Sequence, residues 1–306
     1  MSPITKIAIA ATGLTALIDV VWMTAAGHSF AWASAAPLAA TSGGLFALAW
    51  YYGRVRREAK IAAATFWTAL LLAFSGFGAV ASYLFATLNF PLKDAWFAAF
   101  DRALGLDWVA LTHVVLGQGW LGGVATALYM SSLPLIALAI VWLGLRGHRR
   151  RLELFVTALI VSCLLVIALS APLAAVGPYY HYGIDPQVYQ AFAPVTLSDH
   201  LPLRHLLALR EGRVDVLSLQ TIQGIVVMPS FHTVISVLLI LATRGVRWLA
   251  WPMLAVNVLI LATIPFEGNH YFADMAAGAA LALAVWAALA RLARAPAGAP
   301  ALRPAH

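Results

Sequence analysis

Eight apolar runs, each near the length of a bilayer crossing, are separated by short charged links and two longer segments along this chain. A helix needs about 20 apolar residues to span the hydrocarbon layer, since each residue advances it by only about 1.5 Å. On that ruler the runs lie near 5–27, 31–53, 61–89, 119–145, 152–175, 229–244, 248–265 and 270–291. The sixth and seventh are short, and Pro229 and Pro265 punctuate them. Pro229 suits a helix start, where a missing N–H costs nothing. Backbone polar groups in lipid must be satisfied within the segment, so spans of this kind fold as helices. The expected fold is all-α: a polytopic transmembrane bundle of about eight spans. Only 10% of residues are charged, against about a quarter in a soluble domain, which excludes an ordinary soluble fold.

Charge orients the stack. Arg54, Arg56, Arg57 and Lys60 follow the second run, Arg146 and Arg149 to Arg151 the fourth, Arg244 and Arg247 the sixth, and Arg291, Arg294 and Arg303 the eighth. With eight crossings every cluster falls on one side, which the positive-inside rule makes cytoplasmic along with both termini. The net charge of +7 therefore reads as topology, and no nucleic-acid partner is expected. The stretch after Lys6 is longer than the core of a cleaved signal, so a retained first span is expected despite Ala33-Ser34-Ala35. The single cysteine, Cys163, excludes an intramolecular disulfide and reads as a small buried hydrophobe. The Ala- and Arg-rich composition points to a bacterial inner membrane.

The opposite face receives two longer segments. Residues 90–118 carry Lys93, Asp94, Asp101, Arg102 and Asp107 among aromatics and are expected to form interfacial helices. Residues 176–228 are rich in Pro, Tyr, His and Arg, with Tyr179, Tyr180 and Tyr182 read as an interfacial belt. Long segments of this kind are more often functional than accidental. Within the spans, Asp19 should face a partner or a cavity, because a lone carboxylate in lipid is costly.

That second segment runs into Met228-Pro229-Ser230-Phe231-His232, and two crossings later comes Asn269-His270-Tyr271-Phe272-Ala273-Asp274. Two crossings return the chain to the same leaflet, so His232 and His270 can meet on the outer face. His270 and Asp274 are four apart and, on a helix, share a face. The carboxylate then accepts from one imidazole nitrogen and leaves the other as base or nucleophile. His232 supplies a second proton-transfer group. Helix N-termini favour anions, and Ser230 and Asn269 add donors. The set suits phosphoryl transfer through a phosphohistidine. No third ligand has helical spacing and there is no His-Glu-x-x-His, so zinc is not expected, nor any other metal or cofactor. No Gly-x-Ser-Gly turn supports a serine nucleophile.

These two stretches resemble the second and third signature motifs of the type 2 phosphatidic acid phosphatase superfamily. The resemblance covers roughly the last 80 residues at motif level. It implies a six-helix catalytic core with His270 as nucleophile, Asp274 orienting it, and His232 protonating the leaving group. Three departures stand out. Phe231 replaces the usual Gly, Ile264 stands where an Arg is usual six residues before the nucleophile, and no Lys-x6-Arg-Pro follows from Lys6, Lys60 or Lys93. Ser-Phe-His with His-Tyr-Phe-x-Asp is more similar to the branch containing inositol phosphorylceramide synthase. That branch implies transfer of a phospho-headgroup from a phospholipid donor to a lipid-alcohol acceptor such as ceramide. Without the usual Lys and Arg, phosphate charge falls to Arg204, Arg210 and Arg213, of which Arg210 and Arg213 are the lead candidates.

The expected organisation is an N-terminal pair of helices over 1–60, a catalytic membrane domain over 61–295, and a disordered tail over 296–306. Two other readings compete. One is a phosphatase of lipid phosphates or polyprenyl diphosphates. The other is a lipid transporter using the same polar pocket, against which the lack of half-to-half repetition argues.

Overall fold

A computed structural model describes residues 1–116, 119–184 and 201–294. Its helices are α1 (Pro3–Ala26), α2 (Trp32–Arg54), α3 (Ala59–Ala86), α4 (Asp94–Ala103), α5 (Trp108–Leu116), α6 (Gly119–Met130), α7 (Ser132–Leu145) and α8 (Arg149–Ser170). There follow the single turn α9 (Pro178–His181), then α10 (Leu201–Arg210), α11 (Phe231–Thr243), α12 (Ala250–Glu267) and α13 (Phe272–Arg294). The fold is a helical membrane bundle, as the apolar runs dictate. The tail over 296–306 and the stretch 185–200 of the second long segment lie outside the described residues.

Among the described residues, six helical stretches are long and apolar enough to cross a membrane: α1, α3, the combined run Trp120–Leu145, α8, α12 and α13. Of the other two apolar runs, α2 has the length but is less apolar, while α11 is apolar with only 13 residues. Residues 119–145 form two helices rather than one. The break falls at Ser131, whose hydroxyl donates to the Leu128 carbonyl at 2.6 Å. Such back-bonding competes with the helical ladder. Pro265 does not end α12, which continues to Glu267.

The main core gathers buried side chains from α1, α3, α7, α8, α11, α12 and α13. Glu153 on α8 receives the Thr5 hydroxyl at 2.5 Å and the Thr5 N–H at 3.2 Å, anchoring the start of α1. Where α11 and α13 cross, Gly278 is required. A Cβ there would stand 2.5 Å from the Ser230 carbonyl oxygen. Two-residue strands β1 (Ser29–Phe30) and β2 (Val216–Leu217) pair in parallel and tie the α1–α2 link to the second long segment. The expected helices in 90–118 are present as α4 and α5.

Candidate active site

The close α11–α13 crossing sets the two histidine motifs side by side. The Ser230 N–H donates to the Asp274 carbonyl at 3.1 Å, so both helix starts lie at one end of the bundle. His270 is not on the helix with Asp274; α13 begins at Phe272. Asp274, in the first turn, folds back over the helix start. Its Oδ2 lies 3.3 Å from His270 Nδ1 and accepts the Tyr271 N–H at 2.8 Å. The spacing of four thus works as a capping contact rather than a shared helix face. His270 is 3% exposed and Asp274 fully buried. Burial pushes the His270 imidazole down to about 4, with the Val227 carbonyl opposing. At neutral pH the ring is therefore uncharged, with Nδ1 turned to an acceptor.

The residues that set this loop come from far away in sequence. Asp101 of α4 accepts the Phe272 and Ala273 N–H groups at 2.8 and 2.9 Å. The N-terminus of α13, expected to be free for an anion, is thus already capped, an arrangement contributing about 1 kcal/mol to helix stability. Asp94 accepts the Tyr271 hydroxyl at 3.0 Å and the Val176 and Gly177 N–H groups at 3.1 and 2.9 Å. The Trp108 indole donates to the His270 carbonyl at 3.2 Å. None of these was identified as part of the site from sequence. A signal existed: Asp94 and Asp101 are seven apart, two turns along one helix face in an apolar segment.

His232 lies within the first turn of α11, whose Ser230 cap accepts the Thr233 N–H at 3.3 Å. Its ring stacks on Tyr129 at 4.1 Å between centroids, tilted by 28°, and Nδ1 is 2.9 Å from the Tyr129 hydroxyl. The two histidine supports converge on Gly268. A Cβ there would meet His270 Cδ2 at 2.6 Å and Tyr129 Cε2 at 3.2 Å. Tyr129, Gly268 and the buried Glu267, which accepts the Thr126 hydroxyl at 3.1 Å, were likewise missed.

A cavity of about 450 Å³ opens here. Its lining combines polar groups from His232, Glu267, Asn269 and Tyr129 with apolar ones from Leu133, Leu203 and Leu206. Such a space suits an amphiphile with a charged head.

The proposed phosphate donors are placed unevenly. Ser230 is buried and spent as the α11 cap. Asn269 lines the cavity, yet its Oδ1 accepts the Tyr179 N–H and its Nδ2 donates to Val176, each at 2.9 Å. Arg210 donates to the Phe90 carbonyl at 2.8 Å and lines a neighbouring hollow. Arg204 and Arg213 line a separate surface hollow, where Arg213 pairs with Glu211. The tyrosines do not form one belt: Tyr179 is buried edge-on against Trp108 at 4.8 Å, and Tyr180 is exposed. Asp19 is buried, but neither of its carboxylate oxygens has a hydrogen-bond partner among the described residues. Among those residues no three His, Cys, Asp or Glu side chains converge as a metal site.

Residues 95–288, from α4 into α13, match the sequence model of the PAP2 superfamily. The chain belongs to that superfamily. PAP2 proteins are helical membrane proteins that act typically as lipid phosphatases or phosphotransferases, and this chain shares that kind of function. No curated relative and no solved structure matches it.

Proposed function

We propose that this PAP2 protein is a membrane phosphotransferase. It moves a phospho-headgroup from a phospholipid to a lipid alcohol such as ceramide, through a phosphohistidine on His270. The observation that carries the reading is the pairing of two differently supported histidine motifs at one end of the bundle, where His232 lines a cavity of mixed polar and apolar character and His270 directly follows its lining residues Gly268 and Asn269. In the first half-reaction, His270 Nε2 attacks phosphorus and a P–N bond forms. The P–O bond to the diacylglycerol breaks, and His232 gives that oxygen a proton. In the second, His232 takes the proton of the acceptor hydroxyl, whose oxygen attacks phosphorus and releases His270. Asp274 holds Nδ1–H throughout, keeping Nε2 as the attacking lone pair. Since phosphoryl transfer asks little covalent work of a protein, positioning supplies most of the acceleration.

In this reading the described residues need no metal, and the histidine end faces the extracytoplasmic side with both termini in the cytoplasm. The deciding experiment supplies purified protein with headgroup-labelled phospholipid, with and without ceramide. Label appearing on ceramide supports transfer. Release of a soluble phosphoester that is indifferent to any added alcohol replaces this reading with hydrolysis.

A further inference from the structure

A larger cavity, about 760 Å³, opens at the far end of the bundle. His232 opens α11 and Arg244 closes it; His270 precedes α13 and Arg294 ends it. At about 1.5 Å per residue, α11 is about 20 Å long and α13 about 35 Å, so the two ends are well separated. Arg149, Arg150, Arg151, Arg244 and Arg294 line this cavity, and its lining contains no Asp or Glu. None of the five is ion-paired with a carboxylate among the described residues.

Orientation alone accounts for basic residues at one end of a membrane protein. It does not account for five of them around one cavity, and the basic link at Arg54, Arg56 and Lys60 does not line it. Two of the groups are already placed. Arg150 donates to the Ala293 carbonyl, and Arg151 to the Arg244 carbonyl and, at 3.3 Å, to that of Ala242. These neutral acceptors at the ends of α11 and α13 hold the guanidiniums without cancelling their charge. Like charges gathered this closely repel one another and draw in an anion. The start of α8 adds its positive dipole end to the same rim. Deeper in, Leu154, Leu241 and Trp286 give the cavity an apolar wall.

We propose that this cavity binds the phosphate headgroup of an anionic phospholipid from the leaflet on that side. Guanidinium groups match phosphate oxygens two at a time, and Leu241 and Trp286 receive the glycerol end and the first methylenes. The apolar wall selects a lipid over free phosphate, which would leave that surface uncovered. The site is separate from the histidine cavity and does not depend on the proposed reaction.

Native mass spectrometry of the full chain, taken from nanodiscs of mixed phosphatidylcholine and phosphatidylglycerol, counts the lipids it retains. One phosphatidylglycerol per chain should be held in preference to phosphatidylcholine. Each guanidinium at such a rim contributes about fivefold to anionic-lipid affinity. The combined Arg149→Gln, Arg244→Gln, Arg294→Gln variant, which spares the two pinned arginines, should therefore lose about a hundredfold. A second measurement needs no variant: phosphatidylglycerol should raise the melting midpoint of the wild-type protein, while inorganic phosphate and sn-glycerol 3-phosphate should not. Equal retention of both lipids by wild type, or undiminished retention by the variant, overturns the proposal. So does equal stabilisation by the soluble phosphates, which would make the cavity a small-anion site.

Discussion

The two histidines open neighbouring helices but are held by opposite kinds of partner. His270 lies just ahead of α13 with Nδ1 on a buried carboxylate, while His232 sits inside α11 with Nδ1 on a phenol. A carboxylate can only accept, so it fixes one tautomer and leaves the lone pair on the other nitrogen. A phenol both donates and accepts, so it suits a ring that must gain and lose a proton within one turnover. The difference teaches that the residue types around each ring, rather than the rings themselves, assign the nucleophile to His270 and the proton shuttle to His232 in the proposed reaction.

The strongest test of that asymmetry is removal of the nucleophile. His270→Ala should lower turnover by about 10⁴-fold or more, while phospholipid binding, measured by equilibrium retention, survives. His232→Ala should cost less, about 10²–10⁴-fold. A much smaller loss with a substrate whose leaving group needs no proton would support a shuttle; an identical loss with both substrates would count against one.

The pH profile sharpens the contrast further. Burial lowers His270 from 6.5 to about 4, so the acid limb of kcat/KM that reports the free nucleophile should lie near pH 4, not 6.5. The same shift affects stability. Between pH 6.5 and 4 the unfolded chain binds a proton at this ring that the folded chain refuses. That contribution is therefore lost progressively as pH falls through this window. An acid limb at pH 6.5 that vanishes in His270→Ala would contradict the buried neutral ring. The smallest effect belongs to Tyr129→Phe, which keeps the stacked ring and deletes the 2.9 Å hydrogen bond. Turnover should fall about tenfold, corresponding to about 1.4 kcal/mol, with the basic limb displaced. A fall in melting midpoint with an unmoved pH profile would reduce Tyr129 to a packing role.

How much of this was legible depends on the range of the interactions. Spans follow from local composition, because every backbone group in lipid must bond within its own helix. The break at Ser131 did leave a mark, since Ser132 and Pro134 follow it and proline has no N–H for the carbonyl four residues back, but the apolar residues on either side read as one span. The histidine pair was readable because its partners lie four residues apart or two crossings away. The clamp around it was not, because Asp94 and Asp101 reach Tyr271, Phe272 and Ala273 across more than 170 residues. The phosphate set was assigned by residue type alone. Type does not reveal that Ser230 is spent as a cap, Asn269 on the 176–179 backbone, or Arg213 on Glu211.

The most direct measurement of the central claim is to trap the intermediate. The His232→Ala protein, incubated briefly with phosphorus-labelled phospholipid and quenched in alkali, is digested and mapped by mass spectrometry. The proposed asymmetry predicts an acid-labile phosphoryl group on His270 and on no other residue. Label on a different side chain, or donor consumed at the wild-type rate with no covalent adduct, would contradict it.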